Sequence, residues 1–208
     1  GTGSDIVITP GGSVTTLGDY AEGIAAHTLA ADSDITITSS AAITTGGYKS
    51  YGISAIAQGD SLITIQSSGA IVTTDADADG IHTVALGANT TTKITATGDI
   101  TTVDNSAVGI SALSKADNSA IAITVGGDIV TSGIDSIGID AASLGVGSDI
   151  TITANGEIDT AGSSATGIHA TTDDNKADIA ITTTGDISTK GDTAAGIEAL
   201  TKGDEASI

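Results

Sequence analysis

The chain has 208 residues, 6 Lys against 26 acids, a formal charge of −20, and no Phe, Trp, Met or Cys. A composition without large side chains excludes a wide globular core, which needs them to fill its volume. The charge argues against nucleic acid and anionic membranes as partners, since like charges repel. No apolar run is long enough to span a bilayer, and no stretch reads as a signal peptide. Disorder is excluded in turn by 39% apolar residues, with Ile recurring at fixed positions.

Three elements follow one another from the N-terminus and then recur. The first is an alternating strand at Ile6 and Ile8, with copies at Ile35 and Ile37, Ile63 and Ile65, Thr92 and Ile94, Ile121 and Ile123, Ile150 and Ile152, and Ile179 and Ile181. Apolar residues at i and i+2 share one face of a strand. The second is a Gly-Asp-Ile-x-Thr string, loose at Gly12 and clear at Gly98 to Thr102, Gly127 to Thr131 and Gly185 to Thr189. The third is Ala-x-Gly-Ile-x-Ala, as at Ala107 to Ala112. Its Gly-Ile pair begins at Gly23, Gly52, Gly80, Gly109, Gly138, Gly167 and Gly196, in steps of 29, 28, 29, 29, 29 and 29.

A fixed period of this size means one structural unit stacked on copies of itself. Turns rich in Gly, Asp, Asn and Ser separate the three elements, and no segment has a helical apolar period. The spacing predicts an all-β chain: a parallel β-helix with three strands per coil and about seven 29-residue coils. A right-handed superhelix follows from the usual hand of parallel crossovers. Residues 1–208 then form a single β-solenoid of seven repeats, expected to be a segment of a longer array.

The repeated columns assign the inside. Ile24, Ile53, Ile81, Ile110, Ile139, Ile168 and Ile197 are expected to stack on one another. The small residues two places on, such as Ala55 and Ala112, leave room for the facing sheets. The recurrent Gly marks a place where either no Cβ fits or φ is positive. The invariant Thr column, Thr16 through Thr189, is expected at a corner. The single missing residue falls in the turn between Ile53 and Ile63, since a deletion inside a strand would flip its faces. Ile208 is in phase with Ile179, and neither end carries a polar cap. The array therefore continues, or subunits stack end to end.

Cycles such as Gly98-Asp99-Ile100-Thr101-Thr102 followed by Ala107-Val108-Gly109-Ile110-Ser111-Ala112 resemble the passenger regions of bacterial autotransporters and related large repetitive surface adhesins. The resemblance covers essentially the whole chain. It implies secretion across the outer membrane and display at the cell surface, with a signal peptide upstream and a membrane barrel downstream. No catalytic motif of the family is matched.

The sharpest local motif is Asp75-Ala-Asp77-Ala-Asp79-Gly80. Alternate carboxylates ahead of Gly form the front half of many calcium loops, and Asp104 in the next coil could add an oxygen. Asp75, Asp77, Asp79 and Asp104 are therefore the candidate ligands for Ca2+, against a plain acidic turn. A ladder of Asp99, Asp128, Glu157 and Asp186 invites cations between rungs, although a turn Asp capping backbone amides explains it better. The three His, at 27, 82 and 169, are too dispersed for zinc and are expected to face solvent. The outward Thr ladder reads as β propensity. A chain without Arg, long insertions or aromatic platforms is not expected to be an enzyme.

The leading expectation is a non-catalytic structural rod, an adhesin-like or passenger-like stalk, extracellular or on a bacterial surface. It would self-associate or join further repeats of the same chain and could present a face to a host or cell-surface ligand. The alternatives are a filament-forming or surface-layer subunit and a calcium-binding extracellular module.

Overall fold

The computed structural model describes residues 3–173, 176–203 and 205–208. Among them the regular structure is β throughout, in 21 short strands, and no helix is long and apolar enough to cross a membrane. The first coil holds β1 (Ile6–Ile8), β2 (Val14–Thr16) and β3 (Ile24–His27), and the trio recurs up to β19 (Ile179–Thr183), β20 (Ile187–Thr189) and β21 (Ile197–Thr201). Equivalent strands of successive coils pair in parallel and build three seven-stranded sheets, called sheets 1, 2 and 3 after β1, β2 and β3. Each residue pairs with its own repeat equivalent: Ile110 lies between Ile81 and Ile139, and Thr92 between Ile63 and Ile121. This is the expected β-solenoid of about seven 29-residue coils.

The three inner faces enclose a thin core. Ile110, Ile100 and Ile94, one from each sheet of a single level, are at most 1% exposed. Ala55, Ala112 and Ala141 fill the narrow side. Burying each Ile is worth about 1.5–3 kcal/mol. The end coils differ, because one side of each is open. Ile6, Ile8 and Val14 are only partly buried, and Ile197 is 47% exposed, so the last member of the Gly-Ile column is not core.

The glycines of that column do not have positive φ. They are there because a side chain would not fit. A Cβ on Gly109 would lie 2.5 Å from the Gly138 carbonyl oxygen and 2.6 Å from Cγ2 of Ile129. The left-handed non-glycine residues stand elsewhere, at two fixed places: Asp32, Asp60, Asn89, Asn118, Lys176 and Glu205 in the turn from sheet 3 to sheet 1, and Tyr20, Lys49, Asp77, Ser106, Asp135, Ser164 and Thr193 in the turn from sheet 2 to sheet 3. Non-glycine residues in that region cost energy, so something must hold the turn. The invariant Thr does. Thr102 Oγ1 donates to the Ala107 carbonyl at 2.9 Å, and Thr16, Thr45, Thr73, Thr131 and Thr160 donate equivalently five residues on. The corner assigned to this column is therefore the observed one, and its hydroxyl is why Thr rather than Val recurs.

The deletion also lies where expected, between Ala57, at the end of one strand of sheet 3, and Leu62, at the start of the next strand of sheet 1. The shortened turn places Gly59, at φ 59°, directly before the recurrent left-handed position, here Asp60 at φ 44°.

Four substitutions test this packing. Ile110→Asp buries an unpaired charge between Ile81 and Ile139 and should cost several kcal/mol, read as loss of the β circular-dichroism signal or a large fall in Tm. Gly109→Ala should cost about 1–3 kcal/mol from overpacking, whereas Gly12→Ala, with open space around it, should leave Tm nearly unchanged. Thr102→Val keeps the shape but orphans the Ala107 carbonyl, at a cost of about 1–3 kcal/mol. Equal Tm for Thr102→Val and wild type would show that the hydroxyl does not hold the corner.

Candidate functional site

The acids have a structural task at the corners. At each corner the chain bends away from the ladder, and a backbone N–H of the next coil is left pointing outward. A carboxylate one coil earlier accepts it. Asp99 Oδ1 takes the Asp128 N–H at 3.0 Å, and Asp128 Oδ1 takes the Glu157 N–H at 2.9 Å. The same contact joins Asp5 to Asp34, Asp19 to Tyr48, Asp117 to Val146 and Asp149 to Asp178. Asn105 substitutes its amide oxygen toward Ile134. An ionised carboxylate accepting an N–H makes a stronger bond than a neutral pair. Within the acidic ladder, the geometry supports the amide-capping account for Asp99 and Asp128.

The Asp75–Asp79 turn departs from this pattern. Asp75 Oδ1 accepts the N–H of Ala76 at 2.8 Å, and Asp104 Oδ1 accepts that of Asn105 at 2.7 Å. Asp77 occupies the left-handed position, with Oδ2 4.0 Å from Lys49 Nζ. Asp79 turns inward and is only 6% exposed. Its Oδ1 accepts the Val108 N–H at 2.9 Å, and its Oδ2 lies 2.9 Å from His82 Nδ1. Among the described residues, no three His, Cys, Asp or Glu side chains gather into a ligand set.

His82 is therefore not the plain solvent-facing residue expected. Its ring stacks on Tyr51, with centroids 4.4 Å apart and an interplanar angle of 10°. Burial, joined by the Asp79 charge, raises the Tyr51 phenol above its ordinary value. Further along the same outer column of sheet 3, His169 Nδ1 lies 2.7 Å from Asp140 Oδ1. His27, in the neighbouring column, reaches Ser54 Oγ at 3.4 Å. The structure thus brings Tyr51, Asp79 and His82 together from two adjacent coils. One signal in the sequence could have suggested the pair: Asp79 and His82 are only three residues apart, within side-chain reach of each other. The Tyr51 contact needs the register between coils and is not visible locally.

Chemically, this is a buried carboxylate that orients an imidazole, the supporting half of a hydrolytic triad. The register neighbours of His82 are Ser54 and Ser111. Neither hydroxyl is hydrogen-bonded to its ring, and the arrangement acts as a stacked polar plug on the sheet 3 face.

Asp79 gives a pH signature. Burial raises its carboxyl above the ordinary value, against the opposing pull of the His82 bond and charge and of the Val108 N–H. The folded state keeps this proton at a pH where the unfolded chain has lost it. Its contribution is therefore full at low pH and is lost as pH rises through the raised value. In calorimetric melts from pH about 3 to about 7, Asp79→Asn should gain Tm relative to wild type as pH rises. A constant difference would show that Asp79 titrates as an ordinary carboxylate.

In comparisons with known proteins, no family model, no curated protein and no solved structure matches this chain.

Proposed function

We propose that this chain is a length of rigid, non-catalytic extracellular rod, similar to the stalk of an autotransporter passenger or a large repetitive bacterial surface adhesin. The observation that supports the reading most is the unbroken ladder. Each sheet continues through all seven coils, and among the described residues the turns stay short, with no loop standing out to wall a cleft. Stability in such a solenoid is a sum of like neighbours, which suits a spacer whose length is set by coil number. Seven coils at the usual strand spacing extend about 34 Å. Antibody against this segment, applied to intact cells of the source organism, should label them without permeabilisation. Labelling only after permeabilisation would overturn the surface assignment.

End-to-end assembly into filaments is the second reading, favoured by the edges of the end coils. Strands β1, β2 and β3, and at the other end β19, β20 and β21, pair on one side only. Ser207 donates its N–H to Asp178 Oδ1 at 2.8 Å and accepts the Ile179 N–H at 2.9 Å. Residues 205–208 thus lie in the track of an eighth coil. Open edges template further strands, supplied by more repeats of this chain or by a second copy stacked head to tail, which generates an open fibre. The charge of −20 opposes a second copy, and salt screens that repulsion. Light scattering of the purified chain across a salt series should show particles that grow with salt. Monodisperse monomer at high salt and high concentration would leave the single-chain rod.

A further inference from the structure

The outer surface of sheet 3 differs from the hydroxyl-clad faces around it. Its middle outward column reads His27, Ile56, Val84, Leu113 and Ala142, and the next reads Leu29, Gln58, Leu86, Lys115 and Leu144. Leu29 is 79% exposed and Leu86 is 39% exposed. Between them lies the shortened turn. With one residue fewer than its neighbours, that coil cannot fill the corner. A groove of about 450 Å³ opens there, lined by Leu29, Ala31, Gln58, Gly59, Leu86 and Gly87. The break in the repeat therefore coincides with the two exposed leucines that flank it, with the half-buried Ile56 beside them.

The rim carries the charge. Asp32, Asp60 and Asp117 are exposed along the same run of turns, and the nearest cation in the leucine column is Lys115. Asp60 is fixed in place by Asn89, whose Nδ2 donates to Oδ1 at 2.7 Å. A second copy of this chain would bring an acidic rim against an acidic rim and is disfavoured by repulsion. A cationic partner gains the attraction instead.

We propose that this notch is a docking site for a cationic amphipathic polypeptide, which seats an aliphatic side chain between Leu29 and Leu86 and sets basic residues against Asp32 and Asp60. The aliphatic anchor supplies the affinity that desolvated apolar contacts provide. The acidic rim supplies orientation and the association rate. The groove admits one or two side chains, so the partner is read by an anchor and its flanking charges rather than by a long interface. The site is independent of whether the rod belongs to a cell surface or a filament.

The test uses two labelled peptides of equal length, one alternating leucine and lysine and one alternating serine and lysine. When extended, the first presents one apolar and one cationic face, and the second has the charge alone. Fluorescence anisotropy at near-physiological salt, where surface charge is screened beyond about 8 Å, gives their affinities. The leucine–lysine peptide should bind at least roughly tenfold tighter. The Leu29→Ser, Leu86→Ser double variant should erase most of that difference. Leu17→Ser, at a leucine 76% exposed on another turn, should keep it. These positions are outside the core, and circular dichroism of each variant checks that it folds. Equal affinity for the two peptides, absence of binding, or an undiminished preference in the double variant would overturn the proposal. Sedimentation of the chain alone is the control for self-docking. A dimer that disperses in the double variant would assign the notch to a second copy instead.

Discussion

Each strand residue of this rod is held one strand spacing, about 4.8 Å, from its own equivalents 29 places away, or 28 across the deletion. That constraint governs most of what the chain contains. A position that is inward in one coil is inward in all, so Ile sits on Ile along each sheet. A position where two coils come too close must lack a Cβ in every coil, which is why Gly52, Gly80, Gly109, Gly138 and Gly167 each abut the carbonyl of the next glycine in the column. The core needs no aromatic ring, because its width is set by three short strands and not by the volume of a globule.

The same spacing explains much of the acidity. A straight ladder satisfies its own backbone groups, but a coil must turn three times. At those turns an outward N–H needs an acceptor, and the equivalent position one coil earlier is the natural place for it. Carboxylates answer this need with short, charge-assisted bonds. Buried serines do similar work inside the corners: Ser119 Oγ accepts the Thr90 N–H, and Ser148 Oγ accepts the Ser119 N–H. The outcome is a surface charge that follows from corner chemistry, with secondary effects on solubility and partner choice.

Departures from the repeat are where individuality enters. Val108 and Ile137 occupy in their coils the place that Tyr51 and Asp79 take in theirs. Among the described residues, only in that pair of coils does a buried carboxylate orient a stacked imidazole. The shortened turn is the second departure, and it opens a groove between the exposed Leu29 and Leu86. In a molecule of near-identical units, recognition has to rest on such breaks, since everything periodic offers a partner many equivalent registers.

The sequence by itself determined the period, the three strands per coil, the inward Ile and Ala columns, the corner Thr and the place of the deletion. Each of these is a column property, and a column is legible because a repeat supplies its own alignment. Tertiary structure alone decided the rest. Whether the Gly-Ile glycine answered to φ or to steric approach required the distance from Gly109 to the neighbouring carbonyl. That Asp79 turns inward, away from Asp75 and Asp77, depended on the Val108 N–H and His82 offering it better partners than solvent. Tyr51 meets His82, and Leu29 faces Leu86 across Gln58, only because residues about 30 apart or more are brought together when coils stack. Contacts between coils at positions that do not repeat leave no periodic trace, so no reading of one strand at a time can find them.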